Sequence, residues 1–274
     1  MDLKTLYEMI PPWDWPEDTD KMFQEIIEDR SADLSNRLLA AEMAGNLVVF
    51  NDILARILLT LVGNSEETAE LRARAAISFG AAFEHADLYE FDDPDDIILS
   101  EGLFREVQTS LKKSYYDAGV PKEVRRRILE AVVRAPQDWH SAAVRAAFTC
   151  DDENWQLTAV FCMRFIKGFD RQILEALESD NSDIRYEALL AAGNWQLKKA
   201  WPTVACLLTN ANIDKTMLLA AIDAAAGIGI PEAVNSLTRF LNADDDDIVD
   251  AVNEALAMLE GGEFDDGYDE EDDW

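Results

Sequence analysis

The sequence predicts an all-α protein, a right-handed α-α superhelix (solenoid) of about seven stacked helix pairs. Three observations carry that expectation. A motif of apolar and small residues recurs along the 274-residue chain in one register. Each copy is followed, after a short break, by a second stretch with helical periodicity. A single helix pair of this size cannot bury its apolar face, so it must stack on the next.

The clearest copy is IRYEALLAAG at 184–193, and LRARAAISFG at 71–80 matches it in register. The others are NRLLAAEMAG (36–45), VRRRILEAVV (124–133), WQLTAVFCMR (155–164), LLAAIDAAAG (218–227) and the weakest, IVDAVNEALA (248–257). Their starts lie 35, 53, 31, 29, 34 and 30 residues apart, so one interval is long and the rest cluster. Each copy predicts a first helix with small residues on one face; in 184–193 these are Ala188, Ala191 and Ala192, which let a neighbouring helix approach closely. The second-helix slot holds SAAVRAAFTC (141–150), DRQILEALES (170–179), WPTVACLLTN (201–210) and PEAVNSLTRFLN (231–242). The last starts with Pro231 in its first turn and sets Val234, Leu237 and Leu241 on one stripe.

The fixed Trp, Leu-Gly and Tyr positions of tetratricopeptide repeats and the Thr-Pro-Leu-His turn of ankyrin repeats are both missing. The pattern Asp-x-hydrophobic-Arg-x-x-Ala-Ala-x-Ala-Leu-Gly resembles instead the short HEAT repeats of the phycobilisome-lyase-like class. The resemblance covers roughly residues 20–260 and speaks to architecture rather than activity. Arg37, Arg72, Arg125 and Arg185 fall at one equivalent position. The resemblance implies a ladder in which each meets an inter-helix Asp or a backbone carbonyl of the adjacent layer; a row of anion-binding guanidinium groups is the functional alternative.

The domain expected is one solenoid over 1–260, with an N-terminal cap (1–30), an acidic insertion (84–100) and a disordered acidic tail (261–274). In the cap, MIPPWDWPED precedes a helix with Met22, Phe23, Ile26 and Ile27 on one face, and Trp13 and Trp15 are placed to cover the open end of the stack. Within the insertion, EHADLYEFDDPDD (84–96) carries seven acids and no Lys or Arg, and Pro94 breaks any helix there. GLFREVQTSLKKSYYDAG (102–119) then resumes as the second helix of that pair. Residues 105–134 reverse the sign, with eight Lys or Arg against four acids. Either the acidic loop folds back over them, or the stretch 122–134 binds an acidic peptide or a phosphate. The tail holds eight acids and no basic residue; without it 47 acids still face 24 basic residues, a net of −23.

Charge is the most unusual total: 55 acidic against 24 basic residues, a net of −31. Such a field repels nucleic-acid phosphates and anionic membranes and attracts basic partners, although it also serves plain solubility. The longest apolar stretches (48–50 and 57–62) are far too short to span a bilayer, and the start of the chain lacks the layout of a secretion signal. Cys150, Cys162 and Cys206 sit among apolar neighbours without CxxC spacing, so buried free thiols in a reducing cytoplasm are expected.

No catalytic or cofactor motif is present, and neither an enzymatic activity nor a bound cofactor or metal is expected. His85 and His140 are the only histidines, which excludes His-rich metal sites and HExxH. The paired His-Glu motifs of HEAT-like deoxyhypusine hydroxylases are absent, since Glu84-His85 is reversed and solitary. The aspartate runs 92–96 and 244–247 lack the alternation of a calcium loop; Asp246 and Asp247 are read as caps of a helix starting at Ile248.

The function expected is that of a protein–protein interaction scaffold whose acidic curved surface binds a basic or extended protein segment. Candidate partner-binding residues are Trp139, Trp155 and Trp195 with Asp138, His140 and Asn194, each Trp standing beside polar groups near a helix end. HEAT-like DNA glycosylases place Trp and Asp in such a groove, but their grooves are basic, so nucleic acid and membranes are excluded as partners. Two alternatives stay open: an acidic, nucleic-acid-mimicking inhibitor of a basic protein, and a bilin-lyase-like or other enzyme with an unfamiliar site. The sequence does not set the oligomeric state, a monomer being the simpler expectation.

Overall fold

The structure, a computed structural model, describes residues 3–89, 91 and 97–261. Among them every regular element is helical: α1 (Leu3–Met9), a 3-10 turn (Pro12–Asp14), α2 (Thr19–Glu28), α3 (Leu34–Met43), α4 (Asp52–Gly63), α5 (Ala69–Ile77), α6 (Gly80–Tyr89), α7 (Glu101–Tyr116), α8 (Lys122–Val132) and α9 (Asp138–Phe148). There follow α10 (Glu153–Cys162), α11 (Asp170–Ala176), α12 (Ser182–Asn194), a 3-10 turn (Lys198–Ala200), α13 (Trp201–Thr209), α14 (Lys215–Ile228), α15 (Pro231–Leu237), a 3-10 turn (Thr238–Phe240) and α16 (Asp246–Gly261). The chain forms two compact units, Met1–Ala147 and Phe148–Trp274.

The seven motif copies are the first helices α3, α5, α8, α10, α12, α14 and α16. Side-chain caps start five of them by accepting backbone N–H groups that the first turn leaves unpaired: Asp33 for α3, Thr68 for α5, Asp152 for α10, Asn181 for α12 and Asp214 for α14. The cap of α16 lies one residue earlier than the sequence suggested. Asp245 accepts the N–H of Asp247 at 3.1 Å, while Asp246 and Asp247 occupy the first turn. Lys215, in the first turn of α14, bridges Asp245 and Asp247 at 2.8 and 2.6 Å and so ties the start of α16 to that of α14.

In the first unit α3 packs on α5 and α5 on α8, while α2, α4 and α7 form the second layer. In the second unit α10, α12, α14 and α16 pack in sequence, with α11, α13 and α15 outside them. The small residues of the motif set the spacing. Ala188, Ala191 and Ala192 are fully buried. A Cβ on Gly45 would lie 2.6 Å from the Ser78 carbonyl oxygen, and one on Gly227 would lie 2.7 Å from that of Gly193. Consecutive first helices therefore touch backbone to backbone where the motif ends.

The arginine ladder is seen at Arg37, Arg72 and Arg185, whose partners are chiefly carbonyls. Arg37 donates to the Ile27 carbonyl at 3.0 and 2.8 Å and makes two hydrogen bonds of 2.9 Å to Glu67. Arg72 donates to the Val62 carbonyl at 2.9 Å, and Arg185 to that of Ser179. Each carbonyl lies at or just past the C-terminus of the helix preceding the arginine's own, where backbone acceptors lack intrahelical partners. The acid on Arg37 is a glutamate rather than an aspartate, and those hydrogen bonds hold the Glu67 carboxyl below its ordinary range.

The long interval holds an extra helix. Residues 84–89, expected as acidic loop, continue α6, because Ala82, Phe83 and Ala86 form an inward stripe while Asp87 faces outward. α7 fills the second-helix slot as expected, burying Leu103, Val107 and Leu111. Its start is tied to α4 by Ser100, whose N–H and hydroxyl donate to Asp52 at 2.8 and 2.6 Å. The acidic loop expected over 90 and 92–96 and the disordered tail expected over 262–274 lie outside the described residues.

Two further expectations change. At the cap, Trp15 packs edge-on to Phe23 with ring centroids 5.6 Å apart, but Trp13 is 78% exposed. Trp13 lies within the 3-10 turn Pro12–Asp14, whereas Trp15 follows it in extended backbone, so the two tryptophans leave the chain from different backbone conformations. Of the cysteines only Cys162 is buried. Cys206 is exposed because Val204 and Leu208 set the inward stripe of α13, and a residue midway between them points outward.

Candidate interaction surface

The six residues singled out from sequence fall in both units. In the first, Asp138 opens α9 and is exposed. Trp139 is half-buried against Tyr115 and Tyr116, with ring centroids 5.2 and 5.6 Å away, and its indole N–H donates to Gln137 at 2.7 Å. The Lys112 ammonium lies 5.7 Å from its ring centre. His140 is fully buried, and its Nδ1 accepts the Gln137 N–H at 3.0 Å. That bond places the ring proton on Nε2, which has no hydrogen-bond partner. Burial, with the nearby Lys112 charge, lowers the His140 pKa to about 4, so the ring is neutral at physiological pH.

In the second unit, Trp155 is 9% exposed and belongs to the core of α10. Trp195 is half-buried at the end of α12, and its indole N–H donates to the Met163 carbonyl at 2.6 Å. Exposed Asn194 reaches the next carbonyl, that of Arg164, at 3.4 Å. Both side chains thus tie the end of α12 to the end of α10. A helix-terminating loop aims them there. Gln196 takes a positive φ of 52°, and Leu197 N–H returns to the Ala192 carbonyl at 2.9 Å, the closure that glycine more often provides. Around Trp195 stand Lys167, 5.5 Å from the ring centre, and Arg164, which pairs with Glu187 at 3.2 Å and lies over Phe161 and Phe165. Burial raises the Asp223 carboxyl above its ordinary range, opposed by Arg164.

Electrostatics on the first helices follows one rule: arginines are committed. Arg74 pairs with Glu42, Arg127 with Glu130, Arg134 with Glu84 at 2.7 Å, and Arg164 with Glu187. The basic stretch 105–134 meets the acidic insertion through the pair of Arg134 with Glu84. The remaining described residues hold no cluster of His, Cys, Asp or Glu able to grip a metal, and no helix among them is long and apolar enough to cross a membrane.

Sequence reasoning missed a groove on the first unit. Two adjoining cavities of about 490 and 560 Å³ share Glu42, Gly45 and Ala81. One is walled by Tyr7, Ile10, Trp15 and Leu47, the other by Arg74, Arg127, Arg134, Glu70 and Glu123. The only linear signal was the Pro-punctuated aromatic segment before α2, which sequence alone assigned to capping.

Residues 171–257 match the family described as HEAT repeats. A search of the curated proteins finds no match. Among solved structures, the Escherichia coli protein YibA is 15% identical, with 95% of this chain and 91% of that one covered at a TM-score of 0.49. Human deoxyhypusine hydroxylase is 16% identical over 89% of this chain and 98% of its own, at 0.41. Kap121p bound to Ste12p is 10% identical over 89% of this chain and 33% of its own, at 0.43. At such identities and TM-scores these are likenesses of outline from which no function is drawn. The family match covers residues 171–257, and the same motif register runs from α3 to α16: the described residues fold as an all-α series of HEAT-like helix pairs.

Proposed function

We propose that this chain is a protein-binding scaffold without chemistry of its own, whose acidic surface takes a basic or extended protein segment. The observation that supports it most is the asymmetry of commitment. Arg74, Arg127, Arg134 and Arg164 are held by the chain's own carboxylates, while 55 acids against 24 basic residues leave many carboxylates over. A surface of that kind attracts cations over a Debye length and offers little to phosphate. Trp139 and Trp195 keep part of their rings exposed for short-range contact, with Asp138 and Asn194 beside them; Trp155 and His140 act from within the packing.

Affinity capture from an extract of the cells that make the protein, at low and high salt with cross-linking, tests this reading. A basic protein, cross-linked to first-helix residues and released by salt, is the expected outcome. Recovery of a nucleic-acid-binding protein whose nucleic acid is displaced would favour the decoy alternative. Conversion of a small molecule by the purified chain would sink the scaffold reading.

A further inference from the structure

The groove on the first unit has two properties that together name an occupant. Its apolar end is open and preformed. Tyr7 is 55% exposed, and Ile10, Pro12 and Leu47 are partly exposed over a floor supplied by Met43. Part of its lining is stiff, because Trp15 is fixed by its indole N–H on the Ile10 carbonyl at 3.0 Å and by its edge contact with Phe23. A bulky apolar side chain entering here meets a surface already held in place, so little ordering entropy is lost on binding.

The polar end carries three arginines and three glutamates, so its nominal charge is balanced. Commitment breaks the balance. Arg74, Arg127 and Arg134 are each paired, and Glu42 is taken by Arg74. Glu70 and Glu123 are exposed and make no ion pair among the described residues. The charge left to a visitor is therefore negative. The surroundings reinforce it: of the five acids in residues 8–20, beside the apolar end, Glu8 is paired with Lys4 and Asp18 with Lys21, while Asp14, Glu17 and Asp20 make no ion pair among the described residues. An anion entering the groove would have to displace an internal carboxylate; a cation would not.

We infer that this groove is a docking site for an extended protein segment carrying one bulky apolar residue close to lysines or arginines. The apolar residue seats between Tyr7, Trp15 and Leu47, and the cations meet Glu70 and Glu123. The inference rests on the scaffold reading but goes further by giving the site and the chemistry of the segment.

The test uses the full chain and three labelled decapeptides: one with a single Phe among lysines, one with Ser replacing that Phe, and one with Glu replacing the lysines. Binding is read by fluorescence anisotropy at low and physiological salt. The Phe-Lys peptide should bind about tenfold more tightly than either control. The double variant Glu70→Lys/Glu123→Lys should weaken it about tenfold and flatten its salt dependence, and Tyr7→Ala should weaken it severalfold at every salt. These positions are all exposed, and unchanged melting curves show that the variants are folded. Equal binding by the variants and the parent would overturn the groove while leaving the scaffold reading intact. Preference for the Glu peptide would overturn the assigned polarity. If none of the peptides binds while capture still returns a basic partner, the groove is wrong and the scaffold stands; if capture also returns nothing, both fall.

Discussion

Single side chains in this protein act mostly by finishing helix ends, and two of them make that measurable. Gln196 stands where a left-handed backbone closes α12, a conformation costing a residue with a Cβ about 1–2 kcal/mol, whereas glycine loses about 0.5–1 kcal/mol of chain entropy. Gln196→Gly should therefore raise stability by about 0.5–1 kcal/mol in denaturant unfolding. A fall would show that the Gln196 side chain holds more than its backbone does. His140 gives a pH signature. Its folded pKa of about 4 lies below its ordinary 6.5, so the unfolded chain takes up the proton first. The fold keeps its full stability above about pH 6.5 and loses it as pH falls towards 4, by about 3 kcal/mol in all. His140→Phe should remove that part of the acid sensitivity; an unchanged acid slope would mean the ring is protonated in the fold, despite facing Lys112.

At the scale of helices, stability rests on two devices that link one repeat to the next. Arg37 and Glu67 are both nearly buried, at 8% and 11% side-chain exposure, and Arg37 also holds the Ile27 carbonyl. Removing one member of such a pair leaves a charge without compensation, so Arg37→Met should cost about 3–5 kcal/mol. Arg30, whose pair with Glu66 is largely exposed, should cost well under 1 kcal/mol when replaced. Equal effects would refute the distinction. The second device is close approach. Gly227→Ala puts a methyl group 2.7 Å from the Gly193 carbonyl oxygen, and rigid backbone on both sides predicts a loss of about 1–3 kcal/mol. Gly63, where an added Cβ meets nothing, is the control expected to tolerate alanine.

For the molecule as a whole, the net charge of −31 belongs to the repeats as well as to the tail. Deleting 262–274 removes eight acids and leaves −23, so the attraction proposed for a basic partner should persist. Association rates measured with the captured partner should fall about tenfold from low to physiological salt, for the full and shortened chains alike. A salt-independent rate would assign the acidity to solubility alone.

The sequence by itself determined the helix pairs. The motif 184–193 and its copies carry periodicity, caps and small residues within about ten positions, and local geometry turns such a pattern into a first helix whatever surrounds it. The backbone-carbonyl rungs of the arginine ladder were legible for the same reason, since Arg37 and Arg72 each sit ten residues beyond the carbonyl they reach. The extra turns of α6 were not, because seven acids over 84–96 read as loop until Phe83 and Ala86 are seen packed inward. Nor was the groove. Tyr7, Leu47, Glu70 and Glu123 come from four separate segments, and nothing linear relates them. Whether a charge is available also depends on its spatial neighbour: Glu42 and Glu70 look alike in sequence, but Arg74 packs against one and leaves the other open. Periodicity is a property of the chain, so the sequence could set it; commitment of a charge is a property of packing, and only the tertiary structure decides it.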